Sequence, residues 1–463
     1  MTADFFQALM PEHILLSLIA ALMLLETFKA DRRIGGFLYI SALLGGMGAI
    51  AFQLQHGYAC EVISGEIRLD RFSQAAGILL LGCGMIHGLC SMSHERRHKF
   101  WILAASSLLG ALIVLKSTGF IPLFLGIEML SLPGLALILV NNEKTGAAEG
   151  AFKYLLLSSI ASAMILFGIS FAYGSSGALS IAAFAAGATS DGIPNPAATI
   201  LILAGFFTKA ALFPFHGWAP DAYSSAKLPI AAFLSSIVKG AVVLALLRIF
   251  SDLALNDATV TIIIVLSILS IFYGNIAAIH QHAFKRMLAY SSIAHAGYMM
   301  FALSGAASGR VGALLYYVAV YAVTTIVSCA CISLISGEDD SLDSLNGAFR
   351  THPAASIILS ASLLSLAAIP PFPGFIAKFL VFKTVVASGQ LIPAIIAFIG
   401  GYIGVFFYLG IISRLFKNES SRRQELQNIP RGRGIWKGVV IGCATLILLM
   451  LVPDFIQWIL EDF

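Results

Sequence analysis

Three lysines inside strongly apolar stretches are the residues best placed to carry chemistry. Lys209 lies in FFTKAALFPF, Lys239 in SSIVKGAVV and Lys378 in FIAKFLVF, each surrounded by hydrophobic sequence. A lysine at the centre of a membrane helix costs roughly 2.5 to 3.5 kcal/mol on insertion scales, so it requires a partner or a water-filled cavity. Charged groups in such positions mark ion pathways and proton relays. The lysines therefore predict proton or ion movement within a membrane.

Glu128, in FLGIEMLSLPG, is the deeply placed carboxylate that could serve these lysines. Burial disfavours the charged form of a lysine, whereas a nearby carboxylate favours it. If Glu128 approaches Lys209, a movement of the carboxylate would switch the lysine between holding and releasing a proton. Lys239 and Lys378 would then continue the transfer as a lateral relay through the midplane.

Further ionisable residues have two interpretations each. His295, in SSIAHAGY, joins the relay because imidazole titrates near pH 6.5, or it is a core histidine with satisfied hydrogen bonds. His216 faces the cytoplasmic entrance, or it caps freed backbone. Lys383 belongs to a pathway, or its ammonium snorkels from a helix end. Lys153 lies one helical turn from Glu149, and the two form either a solvated surface pair or part of the route.

Prolines interrupt two of the apolar stretches, next to lysines. Pro214 lies in ALFPFHGW, and Pro370, Pro371 and Pro373 lie in AAIPPFPGF. A helix broken at membrane depth must be sheltered by protein or line a cavity, because freed carbonyls cannot face lipid. Interrupted segments in corresponding positions of two halves indicate a transport site. We therefore expect both breaks to lie near the midplane.

Composition indicates the class of protein. Of the 463 residues, 59% are hydrophobic and 11% are charged, and the mean hydropathy is +0.90. These values are far from the roughly 25% charge of soluble domains, and they predict an all-α polytopic membrane protein. The net charge of +4 is attributed to cytoplasmic loops, with no nucleic-acid partner. The six cysteines lack metal-binding spacing, so we expect small core residues and no metal site.

Hydropathy predicts about 14 transmembrane helices of about 20 residues each. The broken segments are the seventh, 197–216, and the twelfth, 354–388, so helices 4–8 and 9–13 could be inverted five-helix repeats. The predicted units are three N-terminal helices over 1–99, a first repeat over 100–250, a second repeat over 251–416, and a basic cytoplasmic loop with the last helix over 417–463.

Most Lys and Arg residues outside these spans, including Lys285, fall in connections on one side, which is therefore cytoplasmic, and both termini lie on the outer, periplasmic side. Lys116 and Arg248 fall in connections on the other side. The acidic cytoplasmic connection GEDDSLDSLN is interpreted as a solvated face. The N-terminus lacks the features of a cleaved signal peptide, so the first apolar segment is expected to remain as a helix. The sequence contains no Walker loop, G-x-S-x-G, H-E-x-x-H or dinucleotide fingerprint in a suitable context.

Five motifs, in order, resemble those of the subunit N family of bacterial NADH-quinone oxidoreductase, the antiporter-like membrane subunits of respiratory complex I. The likeness extends from about Leu103 to Phe416, whereas the first three helices and the last match mainly in hydropathy. The motifs are EGAFKYLLLSSIASAMILFGISFAYG, FFTKAALFPFHGWAPDAY, AAFLSSIVKGA, FKRMLAYSSIAHAGY and PPFPGFIAKFLVF.

The resemblance implies fourteen helices, inverted repeats and broken seventh and twelfth helices. It assigns proton transfer to Glu128, Lys209, Lys239 and Lys378, with Lys153 as a further candidate. It also implies a translocase subunit of the bacterial inner membrane, coupled to quinone reduction elsewhere. Partners would be the lipid bilayer, adjacent antiporter-like subunits and other membrane subunits of complex I. Flavin, iron-sulfur clusters and quinone are expected in partner subunits, and no cofactor in this chain.

One turn departs from the family pattern. Relatives have an acidic residue and glycine after the seventh helix, whereas this chain reads YSSAKLPI with Lys227 near the cytoplasmic mouth. A subunit of a multi-subunit Na+/H+ antiporter or of a membrane-bound hydrogenase is the alternative, although those subunits tend to carry histidines where this chain has Lys239. A structural membrane scaffold is the alternative of another class, but it would not require buried lysines.

Overall fold

The computed structural model describes residues 2–92, 97–140, 146–186, 195–252, 256–337, 339–417 and 433–453. Helices make up nearly all of this part of the chain. They are α1 (Thr2–Ala8), α2 (Met10–Thr27), α3 (Arg32–Gln55), α4 (Arg71–Ser91), α5 (His98–Lys116), α6 (Phe120–Leu139), α7 (Ala147–Ser176), α8 (Ile181–Ala186), α9 (Pro196–Lys209), α10 (Ala219–Ser225), α11 (Leu228–Phe233), α12 (Lys239–Asp252), α13 (Asp257–Ile279), α14 (Phe284–Ala302), α15 (Ala307–Ser336), α16 (Ala348–Thr351), α17 (Pro353–Leu366), α18 (Pro373–Ala387), α19 (Leu391–Leu415) and α20 (Arg433–Leu451).

The predicted all-α membrane fold is confirmed. Within the described residues, 11 helices are long and apolar enough to cross a membrane, and Pro196–Lys209 and Pro353–Leu366 are shorter apolar helices. The total of about 14 spans stays a prediction. The last predicted span, 436–459, extends beyond residue 453, and the basic loop over 418–432 lies outside the described residues.

The centre of the molecule contains the eighth predicted span and α15. Among the described spans, Leu228–Phe250 and Ala307–Ser336 have their most apolar 18 residues 100% buried, whereas Met10–Thr27 and Ala147–Ser176 reach only 28%. A helix that is apolar all round and fully covered belongs to the core of a bundle. A π-helical turn, Leu234–Val238, joins α11 to α12, and single π turns inside helices are frequent at functional sites.

Helix α9 ends at Lys209, well before Pro214, so the predicted seventh span is not one helix through to residue 216. The end is a Schellman cap: Ala211 has a φ of 58°, its N–H donates to Thr208 O at 3.1 Å, and Leu212 N–H donates to Phe207 O at 2.9 Å. Pro214 follows inside the non-helical connection to α10. The cap, and not the proline, ends the helix.

The same cap ends α17. Ala368 has a φ of 58°, its N–H donates to Ser365 O at 2.9 Å, and Ile369 N–H donates to Leu364 O at 3.0 Å. Pro370 and Pro371 follow in the connection, and Pro373 is the first residue of α18. In both breaks a proline in a cis peptide comes three residues after the alanine of positive φ. The two connections are therefore built alike.

A short β-hairpin between α3 and α4 was not predicted. Strands β1 (Cys60–Ile63) and β2 (Ile67–Leu69) pair antiparallel, with Cys60 opposite Leu69. Gly65, at a φ of 72°, supplies the turn conformation that glycine adopts at no steric cost. Asp70 follows and caps α4, because its carboxylate accepts from Ser73 N–H at 2.9 Å.

Candidate functional site

Lys209 and Glu128 form a buried ion pair. Lys209 Nζ lies 2.8 Å from Glu128 Oε1, 3.1 Å from Ser131 Oγ and 3.1 Å from Ser158 Oγ. The lysine side chain is 2% exposed and the glutamate side chain 21%. Lys209 is also the last residue of α9, in the turn where the helix dipole favours a cation. The ammonium group of Lys209 therefore has three hydrogen-bond acceptors within the protein.

Glu128 lies on the outward stripe of α6 together with Ile121, Leu125 and Leu132, which are 48%, 55% and 49% exposed. Ser162 of α7 donates to Glu128 Oε1 at 2.5 Å. The carboxylate thus joins α6, α7 and α9 while one side of it reaches the lateral surface of the subunit.

Lys239 begins α12, directly after the π-helical turn. Its Nζ donates to Ser292 O at 2.9 Å and to Ser292 Oγ at 2.8 Å, and the residue is 2% exposed. In the described part of the chain, no carboxylate lies within ion-pair distance of this ammonium. Lys239 is therefore held by neutral acceptors, unlike Lys209.

Lys378 lies in the second turn of α18. Its Nζ is 4.5 Å from the centroid of the Tyr298 ring, within the range of a cation–π contact. It borders a cavity of about 590 Å³ between α18 and α19, which Phe379 and Phe398 also line. No carboxylate of the described residues pairs with it. Lys383, farther along α18, is exposed.

His295 of α14 lies between two tyrosine hydroxyl groups. Its Nδ1 is 2.8 Å from Tyr317 Oη and its Nε2 is 3.2 Å from Tyr408 Oη. A small cavity of about 10 Å³ is lined by His295, Tyr317 and Lys378. The structure thus brings this histidine to the neighbourhood of Lys378, and its hydrogen bonds are satisfied as well.

Two other predicted residues lie apart from the Lys209–Glu128 pair. His216 packs on Phe213 and Tyr273, with ring centroids 5.5 and 4.5 Å away. Lys153 is 43% exposed and pairs at 2.7 Å with both Glu149 and Asp221. Of these partners, the sequence predicted Glu149 only. Asp221 belongs to α10, on the other side of the break that follows α9. Its position in GWAPDAY was the sequence feature from which it could have been found.

Comparison with known proteins identifies the family. Residues 117–404 match the family described as NADH:quinone oxidoreductase/Mrp antiporter, TM. NADH-quinone oxidoreductase subunit N of Pelobacter propionicus is 56% identical over 99% of this chain and 99% of its own length. The chain belongs to the subunit N family of NADH-quinone oxidoreductase. It is therefore an antiporter-like, proton-translocating membrane subunit of that translocase, as the motifs predicted.

Other subunit N relatives and a solved complex agree. Subunit N of Moorella thermoacetica is 32% identical over 92% of this chain and 90% of its own. A chain of respiratory complex I from Thermus thermophilus, solved with bound aureothin, superposes with a TM-score of 0.83 at 30% identity, covering 96% of this chain and 98% of that one. A chain of the Mrp complex from Dietzia shares the fold, with a TM-score of 0.86 at 19% identity.

Several charges that the sequence placed in connections are buried in the structure. Lys116 pairs with Glu12 at 2.6 Å, and Arg248 pairs with Asp70. Lys285, expected in a cytoplasmic loop, is 1% exposed on α14 and donates to two backbone carbonyl groups, at 2.8 and 2.7 Å. Each long side chain finds an acceptor on a neighbouring element, a pairing that hydropathy cannot predict.

Asp340 corrects the expectation for the acidic connection. The acidic segment GEDDSLDSLN was interpreted as a solvated face, but Asp340 Oδ2 lies 3.4 Å from the buried Lys285 Nζ. Among the described residues, no group of three or more His, Cys, Asp or Glu is arranged to hold a metal ion. The absence of a cofactor from this chain remains a prediction.

Proposed function

We propose that this subunit moves protons laterally through Glu128, Lys209, Lys239 and Lys378, driven by quinone reduction in partner subunits of the complex. The observation that carries the proposal is the buried Lys209–Glu128 pair at the end of an interrupted membrane helix. Intramembrane ionisable residues of this kind are expensive and mark proton relays. A role in folding alone would not require three ammonium groups at this depth.

The Lys209–Glu128 pair works as a switch. While Oε1 of Glu128 accepts from Lys209 at 2.8 Å, the carboxylate favours the charged lysine. Ser162 offers the same oxygen an alternative donor, at 2.5 Å. Since Glu128 is partly exposed at the lateral surface, a charge movement in an adjacent subunit can draw the carboxylate away. Lys209, left buried without its partner, then releases its proton toward Lys239.

Lys239 and Lys378 form the second part of the relay. Neither contacts a carboxylate of the described residues, and burial of an unpaired charge is costly. Like charges also disfavour each other, so a proton on one lysine disfavours a proton on the other. This promotes transfer between the two lysines and onward from Lys378. His295, between the two sites, is the intermediate station. Lys153, His216 and Lys383 belong to secondary routes, with Lys153 at the cytoplasmic surface.

The four predicted units, 1–99, 100–250, 251–416 and 417–463, serve this path as a bundle of three helices, two inverted repeats and a terminal segment. The matching caps at Ala211 and Ala368 support the repeat, because alanine seldom adopts a positive φ and both breaks place one at the same position of the cap. Each repeat contributes one sheltered break and one lysine beside it.

The subunit lies in the bacterial inner membrane with both termini on the periplasmic side, against adjacent antiporter-like and other membrane subunits of the complex. Flavin, iron-sulfur clusters and quinone bind to partner subunits. Orientation is tested by labelling Glu61→Cys and Lys417→Cys, in a Cys60→Ser background, with a membrane-impermeant thiol reagent. Whole spheroplasts should label only position 61, and inverted vesicles only position 417. The reverse pattern would refute the orientation.

The relay is tested with the assembled complex in proteoliposomes by Glu128→Gln, measured as protons translocated per NADH oxidised. Glu12→Gln is the matched control, because it removes the carboxylate of a second buried lysine pair, that of Lys116. Breaking either pair destabilises the subunit by about 3 to 5 kcal/mol. Only Glu128→Gln should lose translocation in complexes that assemble.

Two outcomes would overturn the proposal. If Glu128→Gln and Lys209→Ala pump normally, the subunit is a scaffold within the complex. If Glu12→Gln loses translocation as fully as Glu128→Gln does, then loss of stability accounts for both results. Complex assembly, followed on native gels, is measured for every variant.

A further inference from the structure

A cluster of hydroxyl groups encloses His295 from both sides of its ring. Tyr408 of α19 lies at Nε2, Tyr317 of α15 lies at Nδ1, and Ser291 Oγ is 2.5 Å from Tyr408 Oη. All four residues are at most 5% exposed. The ring of Tyr321 covers one face of the imidazole, with centroids 4.8 Å apart. The chain of groups Ser291–Tyr408–His295–Tyr317 is therefore continuous and shielded.

The chemistry of imidazole makes this arrangement directional. A neutral histidine has one ring nitrogen that donates and one that accepts. When Nε2 accepts from Tyr408, Nδ1–H donates to Tyr317, and the other tautomer reverses both hydrogen bonds. Each tyrosine hydroxyl can donate or accept, so both states satisfy every group. The pair of tyrosines thus permits tautomer exchange without an unpaired polar atom.

One end of the cluster lies beside Lys378, and the other end lies one residue along α14 from the serine that binds Lys239. Ser292, which binds Lys239 Nζ, is the neighbour of Ser291 on α14. At the other end, the cavity of about 10 Å³ is lined by Tyr317 and Lys378, close to the space that one water molecule requires. A single water in this cavity would connect the hydroxyl group of Tyr317 with the amino group of Lys378.

We propose that Tyr408 and Tyr317 are proton-transfer residues, which pass protons between Lys239 and Lys378 by tautomer exchange of the His295 ring. This inference rests on the relay proposed above and deepens it. It assigns the transfer to two tyrosines that neither hydropathy nor charge singles out.

The transfer step conserves atoms and charge. The O–H bond of Tyr408 breaks as its proton bonds to Nε2, and the Nδ1–H bond breaks as that proton passes to Tyr317 Oη. Tyr317 releases its own hydroxyl proton toward the cavity, where neutral Lys378 takes it up. Tyr408 regains a proton from Ser291, and charged Lys239 supplies the proton that restores Ser291. One proton has moved: Lys239 is now neutral, Lys378 is charged, and the hydroxyl groups and the imidazole are neutral as before. Rotation of the hydroxyl groups and the reverse tautomer exchange reset the chain.

The test uses Tyr408→Phe and Tyr317→Phe in the full complex, because each keeps the ring and removes the hydroxyl. Tyr316→Phe is the matched control: Tyr316 is 1% exposed on the same helix as Tyr317, and its hydroxyl donates to Leu449 O at 2.8 Å. We expect Tyr408→Phe and Tyr317→Phe to reduce protons per NADH to the level of Lys378→Ala. The control should assemble and pump normally.

His295→Gln separates proton transfer from positioning. A glutamine offers one donor and one acceptor to the two tyrosines, but it cannot exchange them through a ring. We expect it to lose translocation in an assembled complex, and the remaining proton flux of both tyrosine variants to show a larger deuterium solvent isotope effect than wild type. Normal pumping by His295→Gln, or by both tyrosine variants, would overturn the inference.

These outcomes are separable from failure of the relay itself. If Lys378→Ala pumps normally, the relay proposal fails, and the tyrosine inference fails with it. If Lys378→Ala loses pumping but the tyrosine variants retain it, only the tyrosine inference fails.

Discussion

Lys209 and Lys378 lie beside equivalent helix breaks but on opposite sides of them. Lys209 is the last residue of the helix before its break, whereas Lys378 lies in the second turn of the helix after the other break. Dipole stabilisation of a cation applies at a helix C-terminus and fades within one turn. Lys209 therefore has both a helix end and Glu128 to hold its charge, and Lys378 has an aromatic ring. The charge of Lys209 therefore has stronger electrostatic stabilisation than the charge of Lys378.

The first prediction concerns the chemistry of position 209. Lys209→Arg keeps the positive charge and can still pair with Glu128, but an arginine is not deprotonated in proteins. We expect Lys209→Arg and Lys209→Ala to lose proton translocation alike, measured per NADH oxidised in proteoliposomes. Normal pumping by the arginine variant would show that a fixed charge is sufficient and that no proton passes through this residue.

The second prediction concerns the buried guanidinium of Arg248, whose side chain is 1% exposed. Asp70→Asn removes its carboxylate partner while keeping an oxygen for the cap of α4, so we expect a loss of about 3 to 5 kcal/mol in stability. Asp70→Ala also removes the cap and should cost about 1 kcal/mol more. Thermal unfolding of the purified complex in detergent measures both.

The exposed pair of Arg414 and Asp343 is the control for that prediction. The Asp343 side chain is 75% exposed, so Asp343→Asn should change stability by no more than about 1 kcal/mol. Equal effects of Asp343→Asn and Asp70→Asn would contradict the importance of burial. A smaller loss for Asp70→Ala than for Asp70→Asn would contradict the capping role.

The lysines of the proposed relay could be singled out from sequence because a lysine in apolar surroundings is anomalous by itself. Glu128 and Lys209 are far apart in the chain, yet their charges are opposite and both are costly in a membrane, so their contact could be anticipated. The fold class followed from hydropathy for the same reason. A charged side chain can be recognised as exceptional from sequence when its free-energy cost in apolar surroundings is large.

The remaining features depend on partners that a sequence does not display. Ala211 gave no signal that it would adopt a positive φ and end α9, because alanine normally continues a helix. Lys285 and Arg248 resembled loop charges, since their acceptors come from distant segments. Tyr408 and Tyr317 are ordinary apolar-span residues until tertiary packing places their hydroxyl groups at the two nitrogens of His295.

The third prediction concerns the close approach of α17 and α18. A Cβ atom on Gly374 would overlap the carbonyl oxygen of Ser365, which already accepts from Ala368 N–H at 2.9 Å. Gly374→Ala must therefore push the half-helices apart, and we expect a loss of about 1 to 3 kcal/mol or more, with reduced pumping. Gly410→Ala is the control, because no atom lies within 4 Å of its added Cβ. If Gly410→Ala lowers the unfolding temperature as much as Gly374→Ala does, the steric argument is contradicted.

The last prediction concerns Glu66, in the hairpin turn outside the membrane spans. Its Oε2 is buried and has no hydrogen-bond partner in the described part of the structure, and burial raises the pKa of this carboxyl above its ordinary value of 4.5. The folded state therefore binds more protons than the unfolded state in the window above pH 4.5, so stability falls as the pH rises through it.

Glu66→Gln does not titrate. It should match wild type at pH 4 and unfold at a higher temperature at pH 7, whereas Glu61→Gln, exposed in the same hairpin, should change neither value. A less stable Glu66→Gln at pH 7 would mean that the charged carboxylate is stabilised in the folded protein.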